Sequence, residues 1–204
     1  MIAIVDYGLG NLSSVAGVVE RLGHEPRVTS DPDELAAAEK LILPGVGAFG
    51  DGMANLRRLE LVEPLSRLVL EQGKPILGIC LGAQLMAGES EEFGRHEGMG
   101  WIDARVIRIE TGDPSLRVPH VGWNDVVHKR PSVLFRNIPP DALFYFVHSY
   151  HIRCADEKRI AGETLYGIPI AAVIEQGNVY ATQFHPEKSQ RHGLTLLGNF
   201  LAAG

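Results

Sequence analysis

Apolar positions in the first half of the chain come in short runs, interrupted by polar, glycine- or proline-bearing turns. Ile2 to Val5 is a four-residue apolar run ending in Asp6-Tyr7-Gly8, the pattern of a buried strand followed by a turn. Asn11 stands where a helix cap belongs. Leu12, Val15, Ala16, Val19 and Leu22 share one face of the helix expected after it, with Gly23 as its stop. Arg27 to Thr29 predicts a second strand, and Asp31-Pro32 a short helix, because the fixed φ of proline suits a first turn. Leu41 to Leu43 predicts a third strand, broken at once by Pro44-Gly45. Leu61, Leu65, Leu68 and Val69 mark a further helix, and Pro75 to Cys80 a fourth apolar strand. Strand–helix–strand repetition with short links predicts a parallel sheet with helices on both faces.

Beyond about residue 100 the texture changes. Arg105 to Ile109, Leu143 to Val147, Ile170 to Ile174 and Val179 to Phe184 read as strands with no helix between them, and such meanders pair antiparallel. Leu194, Leu197 and Leu201 predict a closing helix. No linker-like stretch or internal repeat divides residues 1–204. The expectation is one α/β domain built on an open, mostly parallel mixed sheet.

Composition narrows the class. A chain of 204 residues can bury roughly 70% of its unfolded surface. Lys and Arg number 19 against 25 Asp and Glu, a net charge of −6, which argues against a nucleic-acid binder with its basic face. No apolar run approaches the ~20 residues that span a bilayer, and a strand starting at Ile2 leaves no room for a signal peptide. Two cysteines, Cys80 and Cys154, are too few for a disulfide framework and fit a reducing, cytoplasmic setting.

Gly78-Ile79-Cys80-Leu81-Gly82 places G-x-C-x-G at a strand-to-helix junction, a nucleophile elbow with Cys in place of Ser. Flanking glycines allow the strained turn that lifts the sulfur clear of the sheet. The positive end of the following helix favours thiolate over thiol, and the Leu81 amide is placed to donate to an oxyanion. The competing reading is a small buried hydrophobe. A thiolate enzyme needs an imidazole. His185, at the end of a predicted strand in Gln183-Phe184-His185-Pro186-Glu187-Lys188, is the best placed of eight. Glu187, two residues on, can accept from the ring and fix its tautomer. The alternative is a plain strand-ending turn. A deaminase-type zinc site would need a Pro-Cys-x-x-Cys partner, which the chain lacks.

Pro44 to Gly52 carries G-x-G-x-x-G after a strand, formally a dinucleotide fingerprint. It follows the third strand rather than the first, and no acidic strand end lies about 20 residues on. The same amides can supply a second oxyanion donor opposite Leu81, or form a simple flexible turn.

Gly78 to Gln84 (G-I-C-L-G-A-Q) and Gln183 to Lys188 (Q-F-H-P-E-K) resemble the signature of class I, triad-type glutamine amidotransferases. Ile4 to Ser14, Leu43 to Met53, Pro119 to Asn124 and Tyr145 to Tyr150 are similar to one branch, the glutaminases of histidine biosynthesis. The likeness covers nearly the whole chain; one departure is Ala83, where the elbow often carries Met. The resemblance implies a flavodoxin-like three-layer fold that needs no cofactor or metal. It implies that Cys80 attacks the glutamine amide, His185 moves the protons and Glu187 orients it. Leu81 with Gly45, Val46 and Gly47 would form the oxyanion hole, and Gln84, His148, Ser149 and Tyr150 would hold glutamine. Asn11, Pro119, Trp123 and Lys188 would face the partner, a (β/α)8-barrel cyclase that receives the ammonia in a heterodimer. The loop at Gly45–Gly47 would reorganise when that partner binds its nucleotide. No nucleic-acid or membrane partner is expected. Two rivals stand beside this reading: a related glutaminase serving the pyridoxal phosphate or anthranilate pathways, and a non-catalytic dinucleotide-binding module.

Overall fold

Alternating strands and helices do build the first half of the molecule. The computed structural model describes residues 1–203. The order is β1 (Ile2–Val5), α1 (Leu12–Arg21), β2 (Pro26–Thr29), α2 (Pro32–Ala37), β3 (Lys40–Gly45), α3 (Phe49–Arg58), α4 (Val62–Ser66), β4 (Ile76–Cys80) and α5 (Leu81–Leu85). Strands then dominate: β5 (Ala87–Ser90), β6 (His96–Glu97), β7 (Ile102–Arg108), β8 (His120–Asp125) and β9 (Val127–His128), followed by β10 (Leu143–His148), β11 (Tyr150–Cys154), β12 (Ile160–Tyr166), β13 (Ile168–Gln176) and β14 (Val179–Thr182). Helix α6 (Gln190–Ala202) follows.

The main sheet has eight strands in the order β2-β1-β3-β4-β14-β13-β12-β9. The first five pair in parallel, and β13, β12 and β9 extend it antiparallel. Successive residues alternate between two cores, as a pleated strand demands. Ile2, Ile4, Ile42 and Leu77 pack with Val15 and Val19 of α1 and Leu197 and Phe200 of α6. Ala3, Val5, Leu41 and Ile76 pack on the opposite face with Leu35, Met53 and Leu65 of α2, α3 and α4. Three layers result.

Five details depart from the sequence reading. The later strands do not all join one sheet: β8 and β10 form a separate two-stranded ribbon, and β11-β7-β5-β6 a four-stranded sheet. The cause is β14, which returns to the middle of the main sheet beside β4 instead of extending an edge. Strand β3 runs on through Pro44 and Gly45, opposite Ile79 and Cys80 of β4. Its pairing with β1 has ended by Ile42, so the missing amide of Pro44 leaves no ladder bond unmade on that side. The glycine-rich segment after β3 is helix α3 rather than a loop beyond Ala48. The helix expected from Leu61 is split into α4 and a π-helical turn, Arg67–Glu71. Asn11 sits at the start of α1, yet its side chain makes no capping bond.

Candidate active site

Cys80 ends β4 at φ 53° and ψ −111°, a conformation that L residues avoid and that persists only where the surroundings over-determine it. The surroundings here are backbone. A Cβ on Gly82 would overlap the Leu43 carbonyl, and one on Gly78 would lie 2.7 Å from Cα of Ala83. Only glycine lets β3 and α5 pass so close to the elbow. Gly45, directly opposite Cys80 in the sheet, is equally confined: a Cβ there would meet the Tyr7 hydroxyl, and Gly82 N at 2.6 Å. Helix α5 has five residues, so its field at the sulfur is weaker than that of a long helix.

The elbow opens into a cavity of about 340 Å³ lined by Cys80, Leu81, Gln84, Val46 and Gly47 on one side and by Val147, His148, Ser149, Tyr150 and His185 on the other. Glu92 and Lys188 complete the wall. This volume is at the small end of ligand pockets. Helix-ending and strand-ending residues meet here because β4 and β14 are parallel neighbours, so Cys80 and His185 leave the sheet at the same edge.

His185 is 1% exposed. Its Nδ1 donates to Oε1 of Glu187 at 2.8 Å, with both side chains almost wholly buried. The turn that holds the pair is pinned by hydrogen bonds. The His185 amide donates to Tyr145 O, and its carbonyl accepts from Ser189 Oγ at 2.6 Å. Burial alone would push the imidazole pKa down. The neighbouring Cys80 and Glu187 outweigh it and lift the pKa to about 9. Nε2 is buried and makes no hydrogen bond, and the residue shares the cavity wall with Cys80. The ring is therefore oriented by Glu187 and protonated at neutral pH. Cys154 is the contrast: burial and nearby carboxylates push its thiol up to about 11, an inert sulfur.

A second row of amides braces Cys80. Gln84 Nε2 donates to Tyr150 O at 2.9 Å and to Gln183 Oε1 at 3.1 Å, and Gln183 Nε2 lies 3.8 Å from Cys80 Sγ. Glu92 accepts from Phe49 N at 2.7 Å, holding the start of α3 against the cavity. Tyr7 is fully buried, with a hydroxyl that finds no partner, and burial and Cys80 raise its pKa.

Of the residues singled out from the sequence, Cys80, Leu81, Gln84, Val46, Gly47, His148, Ser149, Tyr150, His185 and Lys188 gather around this cavity. Glu187 stands behind His185. Gly45 does not line it; it is held within β3. Pro119 and Trp123 lie on exposed backbone next to or within β8, and Asn11 is half-buried at the start of α1. Gln183, Glu92 and Tyr7 were not anticipated. Gln183 lies inside the Q-F-H-P-E-K run and was in plain view, whereas nothing separates Glu92 from the acidic residues around it. Among the described residues no three His, Cys, Asp or Glu side chains converge to hold a metal.

The family described as glutamine amidotransferase class-I matches residues 3–203. A protein named imidazole glycerol phosphate synthase subunit HisH from Moorella thermoacetica is 51% identical over 199 residues, 98% of this chain and 93% of its own. A protein of the same name from Syntrophotalea carbinolica is 49% identical, covering 98% of each chain. A crystal structure of a glutamine amidotransferase superposes with a TM-score of 0.77 at 21% identity, over 98% of this chain and 97% of that one. The PurLQS structure from Thermotoga maritima gives 0.76 at 20%, over 98% and 96%.

Proposed function

The chain belongs to the class-I glutamine amidotransferase family, and from that premise we propose that it is the glutaminase half of an imidazole glycerol phosphate synthase in histidine biosynthesis. The observation that carries this reading is a protonated His185, anchored by Glu187 through Nδ1, in one small cavity with Cys80.

The sulfur of Cys80 attacks the side-chain amide carbon of glutamine. His185 gives its Nε2 proton to the departing ammonia, which leaves a glutamyl thioester. The now neutral ring takes a proton from water, which attacks the thioester and releases glutamate. Glu187 keeps Nδ1 protonated and the ring in place. The oxyanion is met by the Leu81 amide and by the Val46–Gly47 peptides, each donor of this kind being worth about 3 kcal/mol. Gly45 supports them from within β3, so the reorganising span reduces to Val46–Ala48, where Gly47 already holds φ 113°. Glu92 offers the wall a carboxylate for the α-ammonium group, alongside Gln84, His148, Ser149 and Tyr150.

The cyclase partner, a (β/α)8 barrel that combines ammonia with a phosphoribulosyl formimino ribonucleotide, docks on the β8–β10 ribbon. Val121, Trp123, Leu143 and Val147 share one exposed apolar face of that ribbon. Exposed patches of this sort mark interaction sites. Val147 also lines the catalytic cavity, and so does Lys188. A partner on this face sits next to the ammonia source, which is what a direct handover requires. Residues 1–204 work as one unit in a heterodimer. Among the described residues no helix is long and apolar enough to cross a membrane, and a biosynthetic enzyme of this kind acts in the cytoplasm. The dinucleotide-binding alternative is disfavoured, because Gly50 and Gly52 are packed inside α3 against His96 and Leu85.

The test is glutamate release by the chain alone and with the cyclase subunit and its nucleotide. Release that depends on the partner and is lost in Cys80→Ala supports the proposal. Release indifferent to the partner, or nucleotide binding without hydrolysis, refutes it.

A further inference from the structure

A backbone carbonyl can only accept a hydrogen bond and an amide nitrogen only donate, so a chain of rings between two such ends has its protons fixed. The inward face of the β8–β10 ribbon holds such a chain. His148 Nδ1 lies 2.8 Å from Tyr150 O and must carry its proton. Burial above all, with His120, His151 and His185 nearby, pushes the ring down to about 3 against the pull of that carbonyl, so it is neutral and Nε2 is bare. Nε2 then accepts from His120 Nδ1 at 3.2 Å. His120, pushed down to about 4 by burial, is neutral too. Its bare Nε2 accepts from Asn124 Nδ2 at 3.4 Å. The Asn124 amide is oriented independently, since its oxygen accepts from Asp125 N and its nitrogen donates to Leu165 O, both at 3.0 Å.

At the other end, Tyr150 O takes its second donor from Gln84 Nε2, whose remaining proton goes to Gln183. The nitrogen of Gln183 is left for Cys80. Every link runs in one direction from the surface residue Asn124 to the Tyr150 carbonyl, and the two glutamine amides carry the order on to the sulfur. His120 is locked at the midpoint. Its ring stacks on Tyr166 at 4.0 Å and Phe146 at 4.7 Å.

We infer that His120 is a positioning residue that holds His148 and the Tyr150 carbonyl in place, joining the Trp123 surface to the glutamine cavity through a hydrogen-bond network of fixed polarity. The functional half of this inference rests on the glutaminase reading; the proton assignment does not.

The test begins with nitrogen NMR of the full chain labelled in histidine. Both His120 and His148 are expected as the Nδ1–H tautomer; a proton on Nε2 of His148 overturns the network. His120→Phe keeps the stacked ring and removes the donor. In the complex with the cyclase subunit, KM for glutamine should rise roughly fivefold to tenfold, the value of one such bond, and the His148 signals should shift. His120→Asn, whose amide nitrogen reaches the Nδ1 position, should recover KM to within about twofold. Should His120→Phe fail to fold, Asn124→Leu removes the previous link and should move KM in the same direction. A folded variant with unchanged KM and unchanged His148 signals sinks the inference. Correct tautomers in a wild type that releases no glutamate would instead sink the glutaminase reading and leave the network standing.

Discussion

Replacing Glu187 by Gln alters charge at one buried carboxylate while nearly preserving its shape. Its Oε1 accepts the Nδ1 proton of His185 at 2.8 Å, and the two side chains are 1% and 2% exposed. The imidazole holds its proton to about 9 rather than 6.5, a difference of about 3 kcal/mol at 1.36 kcal/mol per pH unit. Cys80 and Glu187 supply that difference against the cost of burial. A buried hydrogen bond to a charged group is worth about 1.5–3 kcal/mol, so the variant should release the proton roughly one to two pH units lower. Glutamate release by the complex, followed from about pH 6 to 10, should lose its alkaline limb near pH 7–8 instead of about 9. At neutral pH kcat should fall roughly 10- to 100-fold, with KM little changed, because Glu187 does not line the cavity. Stability moves with the same group. An imidazole with a raised pKa contributes to folding in full below about 6.5 and loses that contribution as pH rises through about 9. The melting temperature of the variant should therefore lie below wild type at pH 6 and converge with it above pH 9. An alkaline limit moved by less than about 0.3 unit, with kcat within twofold of wild type, refutes the role given to Glu187.

Two further substitutions test the elbow and the residue beneath it. Cys80→Gly removes the only reactive sulfur of the cavity and also the strain of a positive φ, worth about 1–3 kcal/mol and offset by about 0.5–1 for glycine's extra freedom when unfolded. Glutamate release should vanish while calorimetry shows a melting temperature raised by a few degrees; a lower one contradicts the strain. Tyr7→Phe deletes a buried hydroxyl that has no partner, relieving roughly 1–3 kcal/mol of unmet desolvation. It should raise the melting temperature by about 2–4 °C per kcal/mol, and a decrease would mean that the hydroxyl does find a partner in solution.

Local patterns determined a good deal of this molecule. The apolar runs at Ile2–Val5 and Pro75–Cys80 gave strands where they were expected, since a central parallel strand must be apolar on both faces. The G-x-C-x-G spacing and the Pro between His185 and Glu187 are legible as local motifs, although what confines Gly82 is the Leu43 carbonyl of β3, a contact that only the assembled sheet supplies. The helix from Phe49 was hidden for the opposite reason. Its glycines argue against helix locally, and only packing against His96 and Leu85, far away in the chain, explains them. The same is true of β3, whose passage through Pro44 depends on where β1 stops. Glu92 reaches the cavity wall, and Tyr7 the neighbourhood of Cys80, through folding alone, and the hydrogen bonds along Asn124, His120 and His148 likewise form only in the folded chain. Periodicity and turn chemistry specify elements; which amide meets which carbonyl is set by strand order, and that is a property of the assembled sheets.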